Sequence, residues 1–224
     1  LAPTVLPADG GEFQLVCAVL GIAHPPGYPL YTLLGKLFTL LPVGNPAYRV
    51  NLFAAVCGAL TLAVVAGSVR RSTGSVAAAL LAAGALGLST TFWAQSTTAN
   101  IRSLTALFTA LALALLLHWG QTRSPRALLA AGICFGLGAG HHSSFVLLGV
   151  PFLVYVLLCE PRLPLQPRRW GPPLLACLAT GIVLLYLPIR SLLGAPFDPE
   201  PIRSWADFIN HVLARGFRGD LFYF

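Results

Sequence analysis

Six apolar runs in succession constrain this chain more than any other feature. They cover roughly 49–69, 75–93, 101–119, 126–141, 144–159 and 171–189, with short loops between them. Crossing the hydrocarbon core takes about 20 apolar residues in a helix, and the fourth and fifth runs fall short of that. In lipid each backbone polar group has to be bonded within its own segment, so runs of this kind are helices. The expected fold is therefore all-α, a polytopic helical membrane protein. Composition agrees: 56% of the 224 residues are hydrophobic and 9% are charged, against about 25% charged in a soluble domain. The runs are rich in Ala, Gly, Leu and Val, as expected where membrane helices approach closely.

The segments around these runs differ in character. Residues 7–48 read as a first outer loop. Its apolar stretch 13–23 is broken by HPPG, because proline removes a donor and disfavours helix in the residue before it. YPLYTLLGKLFTLL at 28–41 is too short to span and reads as an interfacial or re-entrant helix. Residues 190–224 read as a second outer loop, in which SWADFINHVLARGF has the pattern of an amphipathic surface helix. The whole reads as a single membrane-embedded domain. LAPTVL at the start resembles the end of a helix, so the chain is expected to be a piece of a longer one.

The formal net charge is +7, and all basic residues except Lys36 are arginines. The arginines stand singly or in pairs at the ends of apolar runs, which fits topology anchors and lipid phosphate contacts. The interleaving of basic and aromatic residues that nucleic acid requires is absent, and no nucleic-acid partner is expected. Cys17, Cys57, Cys134, Cys159 and Cys177 form no CxxC pair and read as small buried hydrophobes. Arg70 and Arg71, Arg123 and Arg126, then Arg162, Arg168 and Arg169 fall in alternate short loops, which the positive-inside rule places in the cytoplasm. Arg49, Arg102, Arg190, Arg203, Arg215 and Arg218 fall on the other side. With this threading Asp9, Glu12, His24, the Gln95–Asn100 loop, His141, His142 and Arg190 meet at the outer face.

Each of these residues has a plain structural role to set beside a chemical one. D-G-G-E matches a capping box with Asp9 as N-cap and Glu12 three residues on, yet a carboxylate at a water–membrane boundary also has the chemistry of a general base. His24 either carries a proton beside Asp9 or orders a proline turn. His141 and His142 are adjacent on a helix, so they diverge and make a poor chelating pair. Arg190 is a phosphate ligand or a snorkelling anchor. Arg102 lies inside a span and should face protein or water. The residues alone leave a transferase, a transporter or lipid flippase, and a non-catalytic scaffold open.

PTVLPADGGEF, LGIAHPPGYPLYTLLGKLF, GNPAYRVNLFAAVCGA, TFWAQS, GLGAGHH and YLPIRS follow one another along the chain. In that order they resemble the transmembrane protein O-mannosyltransferase family over essentially the whole length. The resemblance implies a C-type glycosyltransferase-like transmembrane domain. It implies an inverting enzyme that moves a sugar, expected to be mannose, from a polyprenyl or dolichyl phosphate to Ser or Thr hydroxyls of an acceptor protein's ectodomain. Asp9 would be the general base with Glu12 beside it. His24, Tyr28, Gln95, Asn100, His141, His142 and Arg190 would bind substrate, Arg190 holding the donor phosphate. No cofactor and no divalent metal are expected, since the lipid-phosphate sugar is a substrate. The location would be the endoplasmic reticulum membrane in a eukaryote or the inner membrane in a bacterium. The chain departs from the family pattern at TTANIRSL: Asn100 stands where Glu is usual and Arg102 where an aromatic is usual. That departure keeps the impaired scaffold as an alternative.

Overall fold

In a computed structural model, described over residues 1–217, each of the six apolar runs is helical. Arg218 and the last part of the expected outer loop lie outside the described residues. The first run is α3 (Pro46–Thr73). Pro46 occupies its first turn, where no N–H is needed, and the Asn45 side chain accepts from Tyr48 N at 2.9 Å. Gly74 ends it in the left-handed conformation that lacks a Cβ penalty. The second run is divided into α4 (Val76–Gly87) and α5 (Thr90–Thr97), which meet at 70°. The break follows composition: Gly84 and Gly87 weaken the helix, and Ser89, Thr90 and Thr91 favour a new helix start.

The third run is α6 (Arg102–Thr122), and the fourth is α7 (Pro125–His141) behind a Ser124 cap. The fifth begins as a 3-10 turn at Ser143–Leu148 and continues as α8 (Gly149–Cys159). The sixth is α9 (Pro167–Ala179), a 3-10 turn and α10 (Tyr186–Leu192) in sequence. Among the described residues three helical stretches are long and apolar enough to cross a membrane, Pro46–Thr73, Arg102–Thr122 and Pro167–Leu192, or four if the bent pair is one span. The stretches Pro125–His141 and Ser143–Cys159 have 17 residues each, in keeping with the shortness of their runs.

Helix α6 is central and packs against α3 on one side and α7 on the other. Phe53, Leu104, Leu107, Phe108 and Cys134 from these helices form one core with Phe13, Val16 and Tyr31 of the first loop. At the far end of α6, Trp119 is fully buried among Leu116, Leu128 and Leu163. Gly132 and Gly136 of α7 lie against α9, and a Cβ on either would collide with the backbone of Pro173 or Cys177. Small residues one turn apart let these two helices touch closely. Leucines such as Leu80, Leu81, Leu158, Leu175 and Leu192 point outward and are exposed, the surface expected against lipid rather than water.

The first loop is itself helical. It contains α1 (Asp9–Val19) and α2 (Pro29–Thr39), both resting on α3. The tail folds α11 (Trp205–Val212) against this loop, opened by a Ser204–Asp207 capping box. Leu187, Ile202 and Phe208 close over Ile22. Gly27 has φ 86°, and a Cβ there would run into Leu187 and His211. The glycine of HPPG therefore permits both the turn and the contact with the tail.

A candidate active site at one end of the central helix

The acids of DGGE do not form the expected capping box. Ala8 is the N-cap of α1, with φ 52°, and no side chain caps the helix. Asp9 and Glu12 lie in its first turn, where the helix dipole favours negative charge. The physical reason is that Glu12 is engaged elsewhere. Its two oxygens accept from the His24 backbone N and pair with His24 Nδ1, both at 2.7 Å. A Cβ on Gly11 would strike the Leu6 carbonyl oxygen, so the glycines let this turn press onto residues 5–6.

The pair shifts both partners. Burial alone would push the Glu12 carboxyl up, but the His24 side-chain and backbone hydrogen bonds and its charge outweigh that and hold it below the ordinary value. The hydrogen bond to Glu12 is also the main reason His24 is raised above 6.5; burial opposes it, and Asp9 and Glu200 add to it through their charges. Asp9 is exposed and lines a cavity of about 360 Å³. Tyr28, Gln95, Asn100 and Arg102 line the same cavity beside His24.

Aromatic rings carry the first loop across to the end of α7. Phe13 packs against His24, Tyr28 and Tyr31 with centroids at 5.8, 5.4 and 5.4 Å. Tyr28 in turn stacks on His142 at 6.0 Å. Burial first, then the charges of Asp9 and Glu12, pushes the Tyr28 phenol up to about 12, so it stays a neutral donor. His141 and His142 diverge because α7 ends at His141 and His142 takes up an extended conformation as its C-cap. His141 is fully buried beside Tyr31 and Phe108, with Nε2 3.1 Å from the Ile101 carbonyl. It supports the wall and is not among the residues that line the cavity.

The Gln95–Asn100 segment forms the opposite rim. Asn100 Nδ2 donates to the carbonyls of Gln95 and Thr98, and Oδ1 accepts from Arg102 N and Ser103 N at the start of α6. A carboxylate could supply only the accepting half of that set. Asn100, where the family resemblance puts Glu, thus knots this turn. Sequence reasoning missed the residues that hold both rims in register. Gln14 and Asn51 are buried; Asn51 Oδ1 accepts from Gln14 Nε2 at 3.0 Å and from Ala99 N at 2.8 Å, and its Nδ2 donates to Ala2 O. An amide inside an apolar run was the available signal, because such a group is costly unless bonded.

This arrangement starts where a family similarity starts. Residues 9–165, more than half of the chain, match the family described as the protein O-mannosyl-transferase TMEM260 N-terminal domain. The chain belongs to that family. It is 36% identical over 202 residues to the protein O-mannosyl-transferase TMEM260 of Mus musculus, an alignment covering 86% of this chain and 28% of the relative. It is 23% identical over 233 residues to the protein O-mannosyl-transferase tmem260 of Dictyostelium discoideum, covering 94% of this chain and 28% of the relative. The chain thus spans little more than a quarter of the length of these curated relatives. No solved structure matches it.

Within this family member one further residue and one grouping bear on the site. Arg190 does not line the cavity; its Nε donates to the Leu20 carbonyl at 2.9 Å, fastening α10 to the end of α1. One ligand atom from each of Asp9, Glu12 and His24 lies within 4.8 Å of the others, the one such group of three among the described residues. The donor set suits a divalent ion in kind, but an ion would compete with His24 for Glu12.

Proposed function

We propose that this chain forms the membrane-embedded catalytic portion of a protein O-mannosyltransferase. Mannose passes from a polyprenyl or dolichyl phosphate to Ser or Thr hydroxyls of a protein on the outer, lumenal face, and the eukaryotic relatives point to the endoplasmic reticulum. The observation that carries this reading is Asp9 at the mouth of a cavity on the end of α6, beside a Glu12–His24 pair, within a chain of this family. In the reaction Asp9 accepts the proton of the acceptor hydroxyl while its oxygen attacks the anomeric carbon. The bond from that carbon to the phosphate oxygen breaks, the lipid phosphate leaves with the electron pair, and the configuration inverts. Glu12 and His24 hold the turn that presents Asp9, and the neutral Tyr28 phenol can donate to a sugar oxygen.

The steps as written call on no metal, and His24 bonds to both oxygens of Glu12. A transporter places its ionisable groups near mid-membrane. Here they stand at a helix end, which disfavours that reading. The test uses full-length protein in detergent with radiolabelled dolichyl-phosphate mannose and Ser/Thr-containing ectodomains. Label reaching protein with the native chain and not with Asp9→Asn supports the proposal. Full transfer by a folded Asp9→Asn variant would sink the assignment of the base.

A further inference from the structure

Arg102 stands where two cavities meet. One is the 360 Å³ cavity that Asp9 lines; the other is a groove of about 700 Å³. The groove follows one face of α6, from Arg102 past Thr105 and Thr109 to Leu113. Those residues succeed one another at helical spacing, and eleven residues of helix rise about 16 Å, roughly half the hydrocarbon thickness. Val65 of α3 and Leu86 of α4 contribute to the walls, and the break between α4 and α5 turns Phe92 toward it. His142 stands at the Arg102 end.

The guanidinium at the head of this groove is exposed, and its side-chain contact is a 3.5 Å approach to Gln95 Oε1. It forms no ion pair among the described residues. A cation at the edge of an apolar surface demands a counter-charge, and a guanidinium fork matches phosphate. An anionic head with a long apolar tail supplies both features of the groove at once. Arg190, the sequence's candidate for this task, is bonded to the Leu20 carbonyl instead.

We infer that the groove along α6 seats the donor lipid, its isoprenoid chain running from Arg102 toward Leu113, its phosphate on Arg102, and its sugar entering the Asp9 cavity. This rests on the lipid-phosphate reading of function. It makes Arg102, a departure from the family pattern, a donor-binding residue of this chain.

The experiment measures binding of unglycosylated dolichyl phosphate to full-length protein in nanodiscs, alongside transfer kinetics. A photoreactive isoprenoid phosphate should label α6. Arg102→Gln should weaken dolichyl phosphate binding and raise the donor KM by about tenfold, with kcat little changed and partial recovery in Arg102→Lys. Ala110→Trp, which fills the groove lower down, should raise KM for the full-length donor and spare one with a two-isoprene chain. Unchanged binding in both Arg102→Gln and Ala110→Trp would overturn the inference, as would label confined to other helices. Displacement of the probe by phosphatidic acid at equal concentration would make the groove a site for ordinary phospholipid and overturn it too. Asp9-dependent transfer with both Arg102→Gln and Ala110→Trp silent removes the groove and leaves the function. Arg102-dependent binding without any transfer removes the function and leaves the groove.

Discussion

The two ends of α6 hold the same kinds of residue in opposite ways. At the Arg123 end, polar side chains close loops on the surface. Arg123 lies over Trp119 and donates to the Cys159 carbonyl, and Arg71 meets His118. Glu160 has both oxygens taken by Arg169. At the Arg102 end the bonding is buried, in Gln14 and Asn51, and the charged groups Asp9 and Arg102 face cavities. An arginine or a carboxylate near a membrane boundary is thus not informative by type. What separates an anchor from a site is whether neighbours already satisfy it.

The sharpest way to break this comparison is substitution of one charge at each end. Asp9→Asn should lower mannose transfer by about 10²–10⁴-fold. Arg123→Gln should leave it within about twofold. Equal losses, measured by label incorporated into acceptor protein, would erase the distinction between the ends.

The next largest effect is on stability. Asn51→Ala leaves the buried Ala99 N–H without its acceptor, removes one of the two acceptors of Gln14 Nε2 and frees the part-buried Ala2 carbonyl. Each buried group left unbonded costs about 1–3 kcal/mol. Arg169→Gln, at the other end and partly exposed, should cost no more than about 1 kcal/mol. Thermal unfolding in detergent compares the two, and a larger shift for Arg169→Gln would contradict the picture of buried against surface bonding.

A smaller effect concerns pH. The raised His24 pKa means its contribution is present in full below the ordinary value of 6.5 and is lost as pH rises through the higher folded value. The lowered Glu12 pKa means its contribution is present above the ordinary carboxylate value and is lost as pH falls through the lower folded value. The pair is therefore complete between those two limits. Ring NMR should give His24 a midpoint above 6.5 that drops in Glu12→Gln, and a midpoint below 6.5 in the native protein would refute the pairing.

Chelation should have the smallest effect. With Glu12 held by His24, EDTA should leave transfer unchanged. Loss of transfer that manganese restores would instead make Asp9, Glu12 and His24 a metal site.

The helices and the crowding of polar groups at one end were legible in the sequence. Long apolar runs admit one backbone solution in lipid. The bonds within the site were less legible. Glu12 and His24 are twelve residues apart across a proline turn, so only the folded turn shows that they pair. The capping box failed because spacing cannot tell which partner a carboxylate will prefer. His141 and His142 looked equivalent, and packing against Tyr31 and Phe108 buried one while the other reached the groove. Arg102 was conspicuous as a charge in an apolar run, yet the groove beneath it depends on the bend between α4 and α5.

Asn51 has a mechanical consequence. One amide ties together the N-terminal segment, α1 and the Ala99 turn, which leads into Arg102. The segments that carry the carboxylate and the guanidinium are thereby fastened to one shared amide. In the proposed transfer, a shared mounting of this kind asks for two separate doorways, one for a lipid coming sideways from the bilayer and one for a protein chain arriving from the water.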